Sequence, residues 1–421
     1  MNKNYTLKTL LFSFRKFPVT LPCIWLFTIL LIANIHVPFI LYQQFISEIL
    51  TFLFCFGTIS FFIDALFLRR QRSKWYFFTL FLGILLSLLF VWLEIRASFI
   101  PYFDFFQYYI CYFLFFFSLG VYFCSQNLSC SFEEYLVKVF DRTLHYHIVW
   151  FLLSLGFNII TPIALQLFHL DSFLMLQILL LLFGLYYMSS FLLSWYPEET
   201  NENVITSFLI KYMLPGILIV VFVIIYIYIT KILIIGNIPP NVLLRNTAVL
   251  FLFGMPICFM NAHYHENNPF RRITKWLPCL FLPFIPLQIY SIGIRIYENG
   301  ITPLRYGAIF FIFFECIALF LYYFRKICIK QLPLLAAILI AFCCFFPFVN
   351  MKYVSYFSQR TAIEQFLSLP EEEQDDIVNH DYYSRYYGAY HYLRSDQLGN
   401  KYLSSLTQEE MDALSSFDRR K

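Results

Sequence analysis

The chain has 421 residues, of which 60% are hydrophobic and 13% charged, with a formal net charge of +4. Soluble domains carry about 25% charged residues, so a water-facing surface over most of this chain is excluded. The charge is also divided: residues 350–421 hold 8 basic and 12 acidic side chains, or −4, and the remainder holds 22 and 14, or +8, a split that suggests two environments rather than a nucleic-acid surface.

Residues 1–18 form a basic lead-in with Lys3, Lys8, Arg15 and Lys16, in which Leu7, Leu10, Leu11 and Phe14 share one helical face suited to a membrane surface. The apolar run that follows is too long for a signal peptide and has no small-residue cleavage site, so it reads as a retained first helix. A helix needs about 20 apolar residues to cross a bilayer. Eleven runs qualify as candidates: 19–41, 45–67, 75–94, 106–123, 145–166, 172–194, 212–234, 246–262, 276–296, 304–324 and 331–349. The expected fold class is all-α, a polytopic transmembrane helical bundle of about eleven spans with a small polar α-helical C-terminal tail. Residues 19–204 and 205–349 divide the membrane helices into two sets, and 350–421 is the tail.

Basic residues concentrate in alternate links. Arg69, Arg70, Arg72 and Lys74 fill the second, Lys138 and Arg142 the fourth, Arg271, Arg272 and Lys275 the eighth, and Arg325, Lys326 and Lys330 the tenth. The positive-inside rule puts those links and the N-terminus in the cytoplasm, and eleven crossings put the tail outside. In the tail, Pro370 before Glu371, Glu372 and Glu373 opens a helix, and Thr407 with Glu410 has capping-box spacing. Tyr382, Tyr383, Tyr386, Tyr387, Tyr390 and Tyr392 lie between, and such rings favour interfaces, so the tail is expected to cap the bilayer or meet a partner.

Two places carry polar chemistry. At the joint of the ninth and tenth spans, Asn299-Gly300 is a turn signal and Thr302-Pro303 a helix start. Glu298 and Arg305 are placed to pair across that turn, with Arg295 three residues before Glu298 on the same helical surface. Glu315 falls in the middle of the tenth span, where a carboxyl must face the bundle and be paired or protonated. Asp64, near the end of the second span, is expected to reach the headgroup layer. His145 with His147, and His263 with His265, are spaced two apart, and residues at that spacing do not share a helical face. No zinc-helix pattern, phosphate loop, dinucleotide fingerprint or nucleophile elbow occurs. Eleven cysteines without a Cys-x-x-Cys pair read as small hydrophobes. No metal or cofactor is expected.

The stretch Lys211-Tyr212, Tyr228 to Ile234 with Thr230-Lys231, Tyr264-His265-Glu266-Asn267-Asn268, Leu282-Pro283, Tyr297 to Thr302 and Arg305-Tyr306, followed by Ser355 to Arg360 with Ser358-Gln359, resembles the bacterial membrane family filed as domain of unknown function 4153. The likeness covers about residues 205–366 in order. It implies an architecture and a bacterial cytoplasmic membrane location, and no established activity. The site residues it implies are Lys231, Glu298, Gly300, Thr302, Arg305, Ser358 and Gln359. The expected function is a non-enzymatic cell-envelope scaffold or sensor that meets the bilayer and a protein partner through its tail. The alternatives are a secondary transporter using Glu315, Lys231, Glu298 and Arg305, and a membrane enzyme acting on envelope lipid or glycan.

Overall fold

Backbone groups in hydrocarbon have no water to bond, so apolar runs of this length satisfy themselves as helix. In the computed structural model every regular element among the described residues is helical. The structure describes residues 14–35, 40–68, 73–96, 102–168, 172–197, 203–235, 240–264, 271–324, 326–380 and 385–417. Most of the basic lead-in, Arg69, Arg70, Arg72, His265, Arg325, Tyr382 and Tyr383 lie outside them.

The membrane part runs α1 (Thr20–Asn34), α2 (Ile40–Leu66), α3 (Lys74–Arg96), α4 (Tyr102–Gln126), α5 (Phe132–Phe168), α6 (Ser172–Leu182), α7 (Ser189–Ser194), α8 (Val204–Phe208), α9 (Leu214–Ile235), α10 (Pro240–His263), α11 (Arg271–Trp276), α12 (Phe284–Asn299), α13 (Pro303–Phe324) and α14 (Leu332–Cys344). Wider π-turns join α6 to α7 at Phe183–Met188 and α8 to α9 at Leu209–Met213.

Eight helical stretches among the described residues are long and apolar enough to cross a membrane. The chain is therefore an all-α, multi-span helical membrane protein. The first and last expected runs appear as the shorter apolar helices Thr20–Asn34 and Ile329–Cys344. Pro38 and Pro347 stand a few residues beyond those ends, and the residue before a proline is pushed out of helical geometry. The run at 145–166 is absorbed into α5, a helix of 37 residues whose first turn carries Glu133 and Glu134.

Polar ties gather one end of the bundle. Asn127 Nδ2 donates to Ala65 O at 3.0 Å, and Tyr135 Oη donates to Trp195 O at 2.8 Å. Thr206 Oγ1 donates to Asp141, Asn261 Nδ2 to Ile210 O at 2.9 Å, and Lys330 Nζ to Leu128 O at 3.4 Å. Between these ties the core is aromatic and aliphatic, with Phe17, Tyr135, Phe222, Phe281 and Phe284 fully buried.

At the other end α12 turns into α13, and the tail builds on that turn as α15 (Met351–Leu367), α16 (Glu371–His380), α17 (Arg385–Ser395), α18 (Gln397–Leu403) and α19 (Gln408–Ser415). Asn350 Oδ1 caps α15, accepting from Lys352 N at 3.1 Å and Tyr353 N at 3.0 Å. The tail has its own apolar core, which includes Ile363, Phe366, Leu393, Leu414 and Phe417. Tyr390 is buried in it, and Tyr386, Tyr387 and Tyr392 pack against it. Tyr390 thus fills a protein core where the sequence suggests a bilayer surface, and the other three lie half-buried beside it, because α17 packs against both α15 and α12.

Candidate functional site

The turn after α12 is held by backbone geometry first. Gly300 has φ 69° and ψ −176°, a conformation open essentially to glycine alone. Its N–H closes on Ile296 O at 2.9 Å. The tail then clasps the turn. Ile301 N donates to Ser358 Oγ at 2.9 Å, and Gln359 Nε2 donates to Ile301 O at 3.0 Å and to Asn299 O at 3.3 Å. Arg305 Nη1, reaching back from the first turn of α13, donates to Gly300 O at 2.6 Å. A Cβ at residue 300 would stand 3.0 Å from both Ser358 Oγ and Gln359 Nε2, so absence of a side chain is needed for the clasp as well as for the turn.

Five of the residues singled out in the sequence therefore meet at one point: Asn299, Gly300, Arg305, Ser358 and Gln359. Thr302 stands beside them, its carbonyl accepting from Tyr306 N at 2.9 Å as α13 begins. The ion pair anticipated between Glu298 and Arg305 does not form. Arg305 uses its guanidinium on the Gly300 carbonyl, and Glu298 remains exposed in the last turn of α12. Arg295 is half-buried, and its Nε has no hydrogen-bond partner among the described residues.

Glu315 belongs to a second cluster. It lies ten residues further along α13 than Arg305, about 15 Å at helical rise, and is 2% exposed. Gln288 Nε2 from α12 approaches its Oε1 at 3.5 Å and donates to Thr247 Oγ1 of α10 at 2.9 Å. Sequence reading identified the carboxyl but not Gln288 or Thr247, because lone neutral polar residues in apolar runs are common and their partners lie on other helices. Lys231 is separate again. It is exposed at one end of an apolar groove of about 650 Å³ along α9, with Val223, Ile227 and Ile234.

Asp64 departs furthest from expectation. It is fully buried instead of reaching headgroups, and it caps another helix. Its Oδ2 accepts from Val19 N at 3.3 Å, Thr20 N at 3.0 Å and Thr20 Oγ1 at 2.7 Å, and its Oδ1 from Tyr76 Oη at 2.8 Å. The start of α1 supplies both backbone N–H groups, and the positive end of the helix dipole favours the carboxylate. His147 is likewise engaged, with Tyr187 Oη 2.6 Å from its Nε2 and Thr143 O 2.9 Å from its Nδ1. Among the described residues no three His, Cys, Asp or Glu side chains stand together as metal ligands would.

No family model, characterised protein or solved structure matches the chain, and the family resemblance noted in the sequence finds no support from these comparisons.

Proposed function

We propose that this protein is a cell-envelope scaffold or sensor of a bacterial cytoplasmic membrane, in which the tail is a docking module fastened to the membrane bundle. The observation that carries this reading is the clasp of Ser358 and Gln359 on the Gly300 turn. Its hydrogen bonds go to backbone groups of the turn, so the tail's position and the α12–α13 hairpin are mechanically linked. A sensor needs such a link, since a partner that moves the tail then also moves α12 and α13.

The reading includes an N-terminus in the cytoplasm and a tail outside. It is supported by the ties that draw Ala65, Leu128, Trp195 and Lys330 to the end of the bundle remote from Gly300, where Lys74, Lys138 and Lys275 also lie. A basic end of this kind faces the cytoplasm.

The partner test uses a photo-crosslinking residue at Glu372, on the exposed acidic face of α16, in intact cells. A discrete adduct that disappears when Ser358→Ala and Gln359→Ala are combined supports a clasp-dependent docking module. An adduct pattern indifferent to the clasp, or no adduct at all, counts against it. Transport is the second reading, favoured by the Glu315–Gln288–Thr247 cluster spanning three helices. Glu315→Gln cells that keep full physiological function would remove it.

A further inference from the structure

Cysteines scattered through apolar runs read as small hydrophobes, yet packing sets three of them together. Cys111 lies on α4, Cys343 and Cys344 close α14, and the two helices run against each other. The thiols of Cys111 and Cys343 both hydrogen-bond with that of Cys344. Phe115, one turn beyond Cys111, meets Phe345 edge to face with ring centroids 5.9 Å apart, which fixes α4 on α14 at this level. Among the described residues the sulfurs do not converge as metal ligands would, so the chemistry open to them is sulfur with sulfur. Cys343 and Cys344 are a poor pair, because adjacent Cα atoms stand about 3.8 Å apart and an unstrained disulfide spans roughly 4.4–6.8 Å. Cys111 and Cys344 are the pair that joins two helices.

Exposure gives the two thiols different parts. Cys344 is buried and Cys111 is half-buried, so Cys111 is the one a reagent meets first. The place is equally informative. Cys343 and Cys344 share an apolar core with Met351, the first residue of α15, and Cys111, Tyr306 and Phe310 pack against it. Tyr306 Oη, from the start of α13, donates to Val349 O at 2.6 Å in the link between α14 and α15. The thiols therefore sit at the root of the tail, at the end of the bundle that carries the Gly300 turn. On the outer side of a bacterial cytoplasmic membrane disulfides persist.

We propose that Cys111 and Cys344 are a peroxide-responsive pair that closes to a disulfide and staples α4 to α14 beneath the tail. Hydrogen peroxide is small and uncharged, so it reaches a half-buried thiol in apolar surroundings where a protein oxidant cannot. The Cys111 sulfur attacks one peroxide oxygen, the O–O bond breaks, and the departing hydroxide takes the thiol proton to become water. The sulfenic acid left on Cys111 is then attacked by the Cys344 sulfur, the S–O bond breaks, and the Cys344 proton leaves with that oxygen as a second water. Both thiols are oxidised and the peroxide is reduced to water. A signal passed from this staple to the tail rests on the sensor reading above, whereas the disulfide itself does not.

The test treats full-length protein in nanodiscs with hydrogen peroxide, then denatures, alkylates and digests it without reductant. Mass spectrometry should find Cys111 linked to Cys344 with Cys343 still alkylated, and dithiothreitol should undo the link. Cys111→Ser should lose the linked peptides and Cys343→Ser should keep them. Cys111 and Cys344 both alkylated after peroxide, Cys111 driven to sulfinic acid with no partner, or a link to another cysteine would each overturn the pair, and all three are read on wild-type protein. The Glu372 photo-adduct tests the signal separately: peroxide should change its yield in wild-type cells and not in Cys111→Ser cells. A linked pair with an unchanged adduct would keep the disulfide and remove its signalling role. A linked pair with no adduct under any condition would count against the sensor reading alone.

Discussion

Single residues at helix ends determine much of this structure. Gly300 combines a glycine-only backbone conformation with close approach of two tail side chains. Gly300→Ala should lower stability by about 1–3 kcal/mol, read as a shift in thermal unfolding in detergent. An unchanged midpoint would mean that the turn relaxes without it. Asp64→Ala strands the amides of Val19 and Thr20 and the hydroxyl of Tyr76, and should cost about 3 kcal/mol, with Asp64→Asn milder because it keeps one acceptor. Equal losses in the two variants would show that packing, not capping, is what Asp64 supplies. At the far end of the chain, Glu410 Oε2 accepts from Thr407 N at 2.8 Å and Thr407 Oγ1 at 2.9 Å, which completes the anticipated capping box. The backbone N–H of Thr407 first, and then its hydroxyl, hold the Glu410 carboxyl below its ordinary 4.5. A depressed carboxyl contributes stability that is complete above the unfolded value and is lost as pH falls through the folded one. Amide exchange in α19 should therefore speed up as pH drops below about 4.5, after correction for intrinsic rates, and Glu410→Gln should flatten that dependence. A wild-type profile as flat as that of the variant would leave the capping bond without energetic weight.

At the scale of elements, the α12–α13 hairpin and α15 behave as one joint. Ser358→Ala removes the acceptor of Ile301 N, and Gln359→Ala removes two donors to backbone oxygens. Each should cost about 1 kcal/mol, and together they should expose the α15 junction to limited proteolysis while leaving the membrane bundle resistant. Cleavage spread equally over tail and bundle would argue that the clasp is incidental. Within the tail, the Lys352–Asp396 ion pair is 3.1 Å long, and its acidic member is buried and also caps α18 through Leu398 N at 3.0 Å and Gly399 N at 3.2 Å. One carboxylate thus joins α15 to α18. A buried pair of this kind is more damaging to break than valuable to possess, so Lys352→Met should loosen the tail more than a surface lysine change does.

For the whole molecule, the arrangement of charge is the main prediction. A cysteine introduced at Glu372 should react with an impermeant maleimide on intact cells, and one introduced at Lys74 only after permeabilisation. The reverse pattern would turn the molecule over. The legible part of this protein was its class. Long apolar runs must become helices in lipid because no other backbone arrangement satisfies their polar groups locally, and the Asn299-Gly300 turn, the helix start at Glu371 and the capping box at Thr407 follow from rules confined to a few neighbouring residues. Helix length was less legible: α1 and α14 end before nearby prolines, and α5 runs through what read as a link and a span. Partners were not legible at all. Asp64 meets Thr20 and Tyr76, Gln288 lies between Thr247 and Glu315, and Arg305 takes a carbonyl in place of Glu298, because each choice depends on which helix faces which. The tyrosines of α17 make the same point. Composition alone offers them an interface, and only the packing of the tail's helices decides that Tyr390 is buried and that Tyr386, Tyr387 and Tyr392 lie half-buried against the same core.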